Sequence, residues 1–162
     1  MKPVSDLIPA ILAIDPGGTT GVAWLTMDSE DGKHVFGSSE VDGGFDGFVN
    51  GFHDQLLNAF LVVALVVEDF IINTGTVKKT QQTDPWAIIG YLRGWALRTN
   101  TMMALQTPAT AKGFGTDTKL KHLGWHRPSK GGHANDAARH LLVYTRGLPQ
   151  VRAQLLEFAQ DV

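Results

Sequence analysis

Along the chain, short apolar runs alternate with longer amphipathic segments. Ala10 to Ile14, Thr20 to Thr26 and His34 to Val41 read as strands, separated by the Pro16-Gly17-Gly18 break and by the acidic DSEDGK segment. Short connections between them predict three successive antiparallel strands. Between Phe45 and Phe60, the residues Phe45, Phe48, Val49, Phe52, Leu56 and Ala59 recur at helical spacing, which predicts an amphipathic helix packed on that sheet. Leu61 to Val67 is a continuous apolar run, as in a strand covered on both faces. Strand, helix, strand forms a crossover unit. In its right-handed form the new strand lies parallel to the first, with both C-terminal ends on one edge. Asp15 and Glu68 end those two runs and are therefore expected to be neighbours.

Ile71 to Thr83 is polar, basic and unperiodic, a loop leading to Asp84 and Pro85 as cap and first residue of a helix that runs to Arg98. Trp86, Ile88, Ile89, Leu92, Trp95, Ala96 and Leu97 leave that helix little polar surface beyond Arg93 and Arg98. One core is not expected to bury them all, so the Pro85–Arg98 helix is the expected seam of a homodimer, with Gly90 and Gly94 admitting a close backbone. The alternative is a helix buried under its own chain. Met102 to Gln106 is a fifth strand, Thr107-Pro108 opens a short helix toward Lys112, and another spans about Thr116 to Leu123. After Trp125, HRPSKGG reads as a basic loop. On a helical wheel of His133 to Tyr144, Ala134, Ala137, Ala138, Leu141 and Leu142 share one arc, and His133, Asp136, Arg139 and His140 the opposite one. Residues 1–9 read as an N-terminal tail, 10–147 as one domain and 148–162 as a C-terminal helix or tail.

At 162 residues and 43% hydrophobic, the chain suffices for one domain with a real core. No apolar run is long enough to span a bilayer and no secretory leader is recognisable, so a cytoplasmic protein without a membrane partner is expected. The absence of cysteine removes disulfides and thiolate metal sites. The net charge of −2 hides an uneven distribution. Residues 1–69 carry eleven acids against Lys2 and Lys33, a balance of −9, whereas residues 70–131 carry nine basic residues against Asp84 and Asp117, a balance of +7. Such asymmetry suits a basic surface that follows a phosphate backbone, the alternative being a solvated charged face. Lys78, Lys79, Lys112, Lys119, Lys121, Arg127 and Lys130 are the candidate DNA contacts on it.

Asp15 taken alone reads equally as an Asx-turn residue or as a site residue at a strand end. Glu68 and Asp136 change the picture, since two strand ends and a helix start can be gathered by one fold. Three carboxylates in one cleft repel unless cations occupy it. Hard oxygen donors without cysteine point to Mg²⁺, with Mn²⁺ able to substitute. Two such ions about 4 Å apart activate water and stabilise the leaving oxygen of a phosphodiester. His133, one turn before Asp136, is a fourth ligand or an acid/base.

IDPGGTTGVA, VVEDF and GGHANDAARH, in that order, resemble the motifs of RuvC-type Holliday junction resolvases of the ribonuclease H-like superfamily, in a bacteriophage or prophage version. The resemblance runs from about Ala10 to Tyr144. It implies an α/β fold with a central mixed five-stranded sheet flanked by helices, a homodimer, and two-metal cleavage of branched DNA, four-way junctions above all, leaving 5′-phosphate and 3′-hydroxyl ends. It further implies that Asp15, Glu68 and Asp136 are the catalytic and metal-binding carboxylates, joined by His133 where the family uses Asp or His. Lys112 and Lys119 fall near the family's basic residues at the scissile phosphate. Phe70 corresponds to an aromatic that stacks at the junction centre, although it lies one residue closer to the glutamate than the pattern asks. Arg139 and His140 depart from the small apolar residues usual there.

Two rival readings remain at this level. DPGGTTG also resembles the phosphate hairpin of actin, Hsp70 and sugar kinases, which requires a second such hairpin and a second domain that this sequence lacks. A catalytically inactive branched-DNA-binding protein is disfavoured by the presence of all three carboxylates.

Overall fold

The computed structural model describes residues 7–27, 34–71, 83–128 and 131–149. Five strands form one mixed sheet: β1 Ile8–Asp15, β2 Thr19–Met27, β3 His34–Asp42, β4 Phe60–Glu68 and β5 Met102–Gln106, in the spatial order β3-β2-β1-β4-β5. β1, β2 and β3 pair antiparallel, and β4 lies parallel to both β1 and β5. The expected mixed α/β sheet is observed. β1 starts at Ile8, two residues before the apolar run suggested, because Ile8 and Pro9 extend the ladder beside Phe60 and Leu61.

One irregularity sets the position of the site. Ala10 pairs with Val62 but Ile11 pairs with Ala64, so Val63 is an extra residue in β4 and the register advances by one. Ile14 then pairs with Val67, and the next step brings Asp15 level with Glu68. Without the bulge Asp15 would stand beside Val67, whose side chain points to the opposite face from that of Glu68. On the far side Glu68 pairs with Gln106 of β5. The C-terminal ends of three parallel strands thus present Asp15, Glu68 and Gln106 along one edge, where α/β sheets commonly carry their sites.

The helices are α1 Gly44–Gly51, α2 Leu57–Ala59, α3 Asp84–Thr99, α4 Pro108–Phe114, α5 Asp117–His122 and α6 His133–Thr145. The single helix expected over Phe45–Phe60 is instead α1, a π-helical stretch Phe52–Leu56, and the short α2, with Phe60 already in β4. Phe48, Phe52 and Leu56 are four residues apart and all buried, and the wider π stretch keeps residues at that interval on one face. Asp84 is inside α3 rather than its cap. Its carboxylate accepts from the Phe45 N–H at 3.2 Å, satisfying the start of α1 instead.

Each face of the sheet carries its own core. Leu12, Ile14, Val22, Leu65 and Val67 meet Phe48, Phe52, Ile88, Leu92 and Trp95 on the α1/α3 side, while Ala13, Ala23, Leu25 and Val66 meet Leu120, Trp125, Ala137, Ala138 and Leu141 on the α6 side. The second face is lined with small residues, so α6 lies close against β1 and β2. α3 is better buried than its composition suggested. Ile88, Ile89, Leu92, Trp95 and Ala96 belong to the chain's own core, leaving Trp86 at 47% and Leu97 at 85% exposure as its large outward apolar side chains. Among the described residues no helix is long and apolar enough to cross a membrane.

Candidate active site

Asp15 ends β1 with its side chain 10% exposed, and its Oδ2 lies 3.0 Å from Nδ1 of His133, the first residue of α6. That approach depends on Gly21, the register partner of Asp15 on β2. A Cβ there would stand 1.9 Å from the His133 carbonyl oxygen. Glycine lets the N-terminus of α6 rest directly on the strand. Gly132 precedes α6 with φ at 76°, and no side chain of its own caps the helix. Glu40 of β3 supplies the acceptor, taking a hydrogen bond from the Ala134 N–H at 3.2 Å. Across the sheet, Gly21 also pairs with Glu40, so Asp15, Gly21 and Glu40 form one row beneath the helix start.

Glu68 ends β4, and its Oε2 lies 2.7 Å from Nε2 of His140, which is fully buried. Asp136 sits in the first turn of α6, ion-paired to Arg139 one turn on and 3.6 Å from Lys112 Nζ. All three carboxylates of the sequence reading thus meet basic partners from α6: His133, His140 and Arg139. Burial, more than any other influence, pushes the Asp15 carboxyl above the ordinary carboxylate range, opposed by the His133 hydrogen bond and reinforced by the charges of Glu68 and Asp136. His133 is raised as well, chiefly by its hydrogen bond to Asp15 and against the effect of burial, with the charges of Asp15, Glu40 and Asp136 adding to the rise. The four residues therefore share one electrostatic neighbourhood in which excess negative charge is unfavourable.

This chemistry fits a hard divalent cation. The donors are carboxylate oxygens with one imidazole, and a cation would offset the mutual repulsion felt at Asp15. As they stand, no three acidic or histidine side chains among the described residues converge on one ion position. Asp15, Glu68 and Asp136 each meet a basic partner on α6 through one oxygen, Oδ2, Oε2 and Oδ1 respectively.

The basic candidates distribute unevenly. Lys112 is beside Asp136 and 60% exposed. Lys119 donates to the Phe114 carbonyl at 2.9 Å and lies 3.8 Å above the Phe114 ring, and Lys121 is exposed on the same short helix. Arg127 is farther along, its guanidinium on the Ser38 carbonyl of β3 and its backbone N–H and C=O both bonded to the Asn135 amide at 2.8 Å. Phe70 packs edge-to-face on Trp86, with centroids 5.7 Å apart. Lys78, Lys79 and Lys130 lie outside the described residues. So does the expected C-terminal helix or tail, apart from Leu148 and Pro149.

No family model matches the sequence, and no curated protein does. Solved structures do. Thermus thermophilus RuvC in complex with a Holliday junction substrate superposes with a TM-score of 0.62 at 15% identity, over 86% of this chain and 96% of that one. The fold is that of RuvC. A second Thermus thermophilus RuvC structure agrees, with a TM-score of 0.59 at 15% identity over 84% of this chain and 93% of the other. The RuvC-like fold accounts for the meeting of two strand ends and a helix start. Glu40, Gln106 and His140 also belong to the site, and only His140 stood out in the sequence, as a departure from the pattern.

Arg139 has a defined mechanical part. Besides Asp136, its guanidinium pairs with Asp117 of α5, and its Nε donates to the Gly115 carbonyl at 2.8 Å. Gly115 leaves room for it, since a Cβ there would meet the Arg139 side chain at 2.8 Å. Arg139 thereby ties the turn between α4 and α5, and with it Lys112 and Lys119, to the helix that carries Asp136. Arg139→Ala is expected to cost about 1–2 kcal/mol, discounted for the exposure of Asp117. Arg139→Lys should recover only part of this, because an ammonium lacks the planar fork. Chemical denaturation of both variants measures it, and an unchanged midpoint in Arg139→Ala would contradict the bridge.

Proposed function

We propose that this protein is a metal-dependent endonuclease that cuts branched DNA, four-way junctions foremost, to leave 5′-phosphate and 3′-hydroxyl ends. The carrying observation is the gathering of Asp15, Glu68 and Asp136, with His133, at the carboxyl edge of a RuvC-like sheet. Asp15, Glu68 and Asp136 would hold two Mg²⁺ ions, or Mn²⁺ in their place, with His133 as a further ligand. Bound there, the ions supply an activated water and charge stabilisation for an in-line displacement at phosphorus. The chain's own contribution is to exclude water around Asp15, to orient His133 through Asp15 Oδ2, and to offer cations to the DNA backbone. Lys112, Lys119, Lys121 and Arg127, with Lys78, Lys79 and Lys130, are the residues proposed for those phosphate contacts. Phe70 and Trp86 form an aromatic pair at the end of β4 suited to stacking on an unpaired base.

A homodimer through α3 belongs to the same reading. Trp86, Gly90, Arg93 and Leu97 all face outward on one side of that helix, and nothing lies within 4 Å of a Cβ built on Gly90 or Gly94. A second copy covering this face would remove Trp86 and Leu97 from water and place two sites in one particle, as cutting opposed strands of a junction requires.

Recognition by phosphate contacts and DNA shape predicts a definite substrate order. Four-way junctions should be cut fastest, forks and flaps more slowly, and linear duplex and RNA:DNA hybrid at least about tenfold more slowly than junctions, the equivalent of about 1.4 kcal/mol. Initial rates on the five substrates at one Mg²⁺ concentration test this. Equal rates on branched and linear DNA would remove the junction assignment, and binding without cutting of any substrate would leave an inactive DNA-binding protein.

A further inference from the structure

His140 is the polar residue most out of place in the fold. Its side chain is fully buried among the helix and strand contacts of α6, yet both ring nitrogens meet polar atoms: Nε2 lies 2.7 Å from Glu68 Oε2 and Nδ1 3.1 Å from Gln106 Oε1. A neutral imidazole carries one N–H. Donated from Nε2 to the Glu68 carboxylate, it leaves Nδ1 as acceptor, and the Gln106 amide satisfies Nδ1 by a half-turn that presents its NH₂. The two ends of this string are themselves fixed. Glu68 and Gln106 are register partners on β4 and β5, and the Asp69 N–H donates to the Gln106 carbonyl at 2.8 Å.

We infer that His140 is a positioning residue for Glu68, with Gln106 holding its ring in place. Stability alone does not account for a histidine here, because an apolar side chain of similar size in a buried site avoids the desolvation of two ring nitrogens. What the imidazole adds is direction. Glu68 has three rotatable side-chain bonds, and its hydrogen bond to His140 holds Oε2 to the inner side of the edge, so that Oε1 remains to face a ligand. A hydrogen-bonded partner behind a ligating carboxylate typically changes metal affinity by about 10- to 100-fold. Asp15 has no buried partner of this kind, since His133 is 38% exposed, and Asp136 is held instead by the charged Arg139 and by Lys112 at 60% exposure. The inference rests on the proposed metal-binding role of Glu68.

Mn²⁺ titration of the whole protein, followed by the loss of the free-ion paramagnetic resonance signal, separates the possibilities, with thermal melts run alongside. His140→Leu should melt near the wild-type temperature or above it and bind Mn²⁺ at least about tenfold more weakly. His140→Gln, which can return an N–H toward Glu68, should recover most of the affinity, and Gln106→Leu should lose less than His140→Leu. In cleavage, the Mg²⁺ concentration for half-maximal rate should rise in His140→Leu while the rate at saturating Mg²⁺ stays within a few-fold. If His140→Leu does not fold, the ordering of wild type, His140→Gln and Gln106→Leu carries the test. Wild-type Mn²⁺ affinity in His140→Leu, with Glu68→Gln defective, would overturn the positioning role alone. Absence of saturable Mn²⁺ binding in the wild type would instead overturn the metal site beneath it.

Discussion

Asp15→Asn, Glu68→Gln and Asp136→Asn are each expected to abolish Mg²⁺-dependent cleavage of a synthetic four-way junction while leaving junction binding intact. The substitutions preserve shape and remove one negative oxygen apiece from a cluster whose charge is the attraction for the ions. Losing several kcal/mol of transition-state stabilisation corresponds to at least about a thousandfold in rate. Binding should persist, because phosphate contacts depend on lysine and arginine side chains elsewhere. For Asp15 the stability change should differ in sign from the activity change. The Asp15 carboxyl is raised in the folded protein, chiefly by burial, so the folded state holds its proton more tightly than the unfolded chain does. Ionised Asp15 therefore costs stability, and that cost appears as pH rises from the ordinary carboxylate range through the raised value. At neutral pH without metal, Asp15→Asn should melt no lower than the wild type. Cleavage assays, gel-shift binding and melts on the same preparations check all three statements; full activity in any one variant sinks the site assignment.

Much of the site could be read from local pattern, and what could not was long-range. β1 and β4 each announce themselves as apolar runs broken by a carboxylate, and a crossover connection makes their ends neighbours. The bulge at Val63 that brings Asp15 level with Glu68 leaves no such mark, because Val63 continues the apolar run it interrupts. By its spacing His140 falls on the polar arc of α6, yet it is buried. On the wheel it lies only about 60° from Ala137, at the margin of the apolar arc, and a polar atom waiting on β4 decides which way it faces. Glu40 reads as an ordinary strand residue until α6 is laid across β3. Asp84 resembles the cap of its own helix until α1 is found closer to its carboxylate. Each of these depends on a partner 39 or more residues away.

Gly21→Ala is expected to damage the site more than any other small substitution outside the carboxylates. The added methyl would stand 1.9 Å from the His133 carbonyl oxygen, 2.3 Å from its carbonyl carbon and 3.0 Å from the Ala134 nitrogen. All three are backbone atoms, so no side-chain rotation relieves the clash. Either β2 bends or the start of α6 lifts, and lifting lengthens the 3.0 Å contact between His133 and Asp15 together with the Glu40 bond to Ala134. Overpacking of this kind costs about 1–3 kcal/mol, a fall of up to roughly 10 °C in melting temperature for a chain of this size. Cleavage should fall further than stability, because a displacement of about 1 Å at a reacting centre costs on the order of a hundredfold in rate. Gly113→Ala is the control: nothing lies within 4 Å of its Cβ position, and alanine favours the helix by about 0.5–1 kcal/mol. A Gly21→Ala protein with wild-type melting and cleavage would show that α6 does not rest on β2 as described. The expected result would assign separate tasks to the glycines of the IDPGGTTGVA stretch. Gly17 and Gly18 turn the chain after Asp15, whereas Gly21 keeps a strand bare enough for the helix bearing His133 and Asp136 to reach that aspartate.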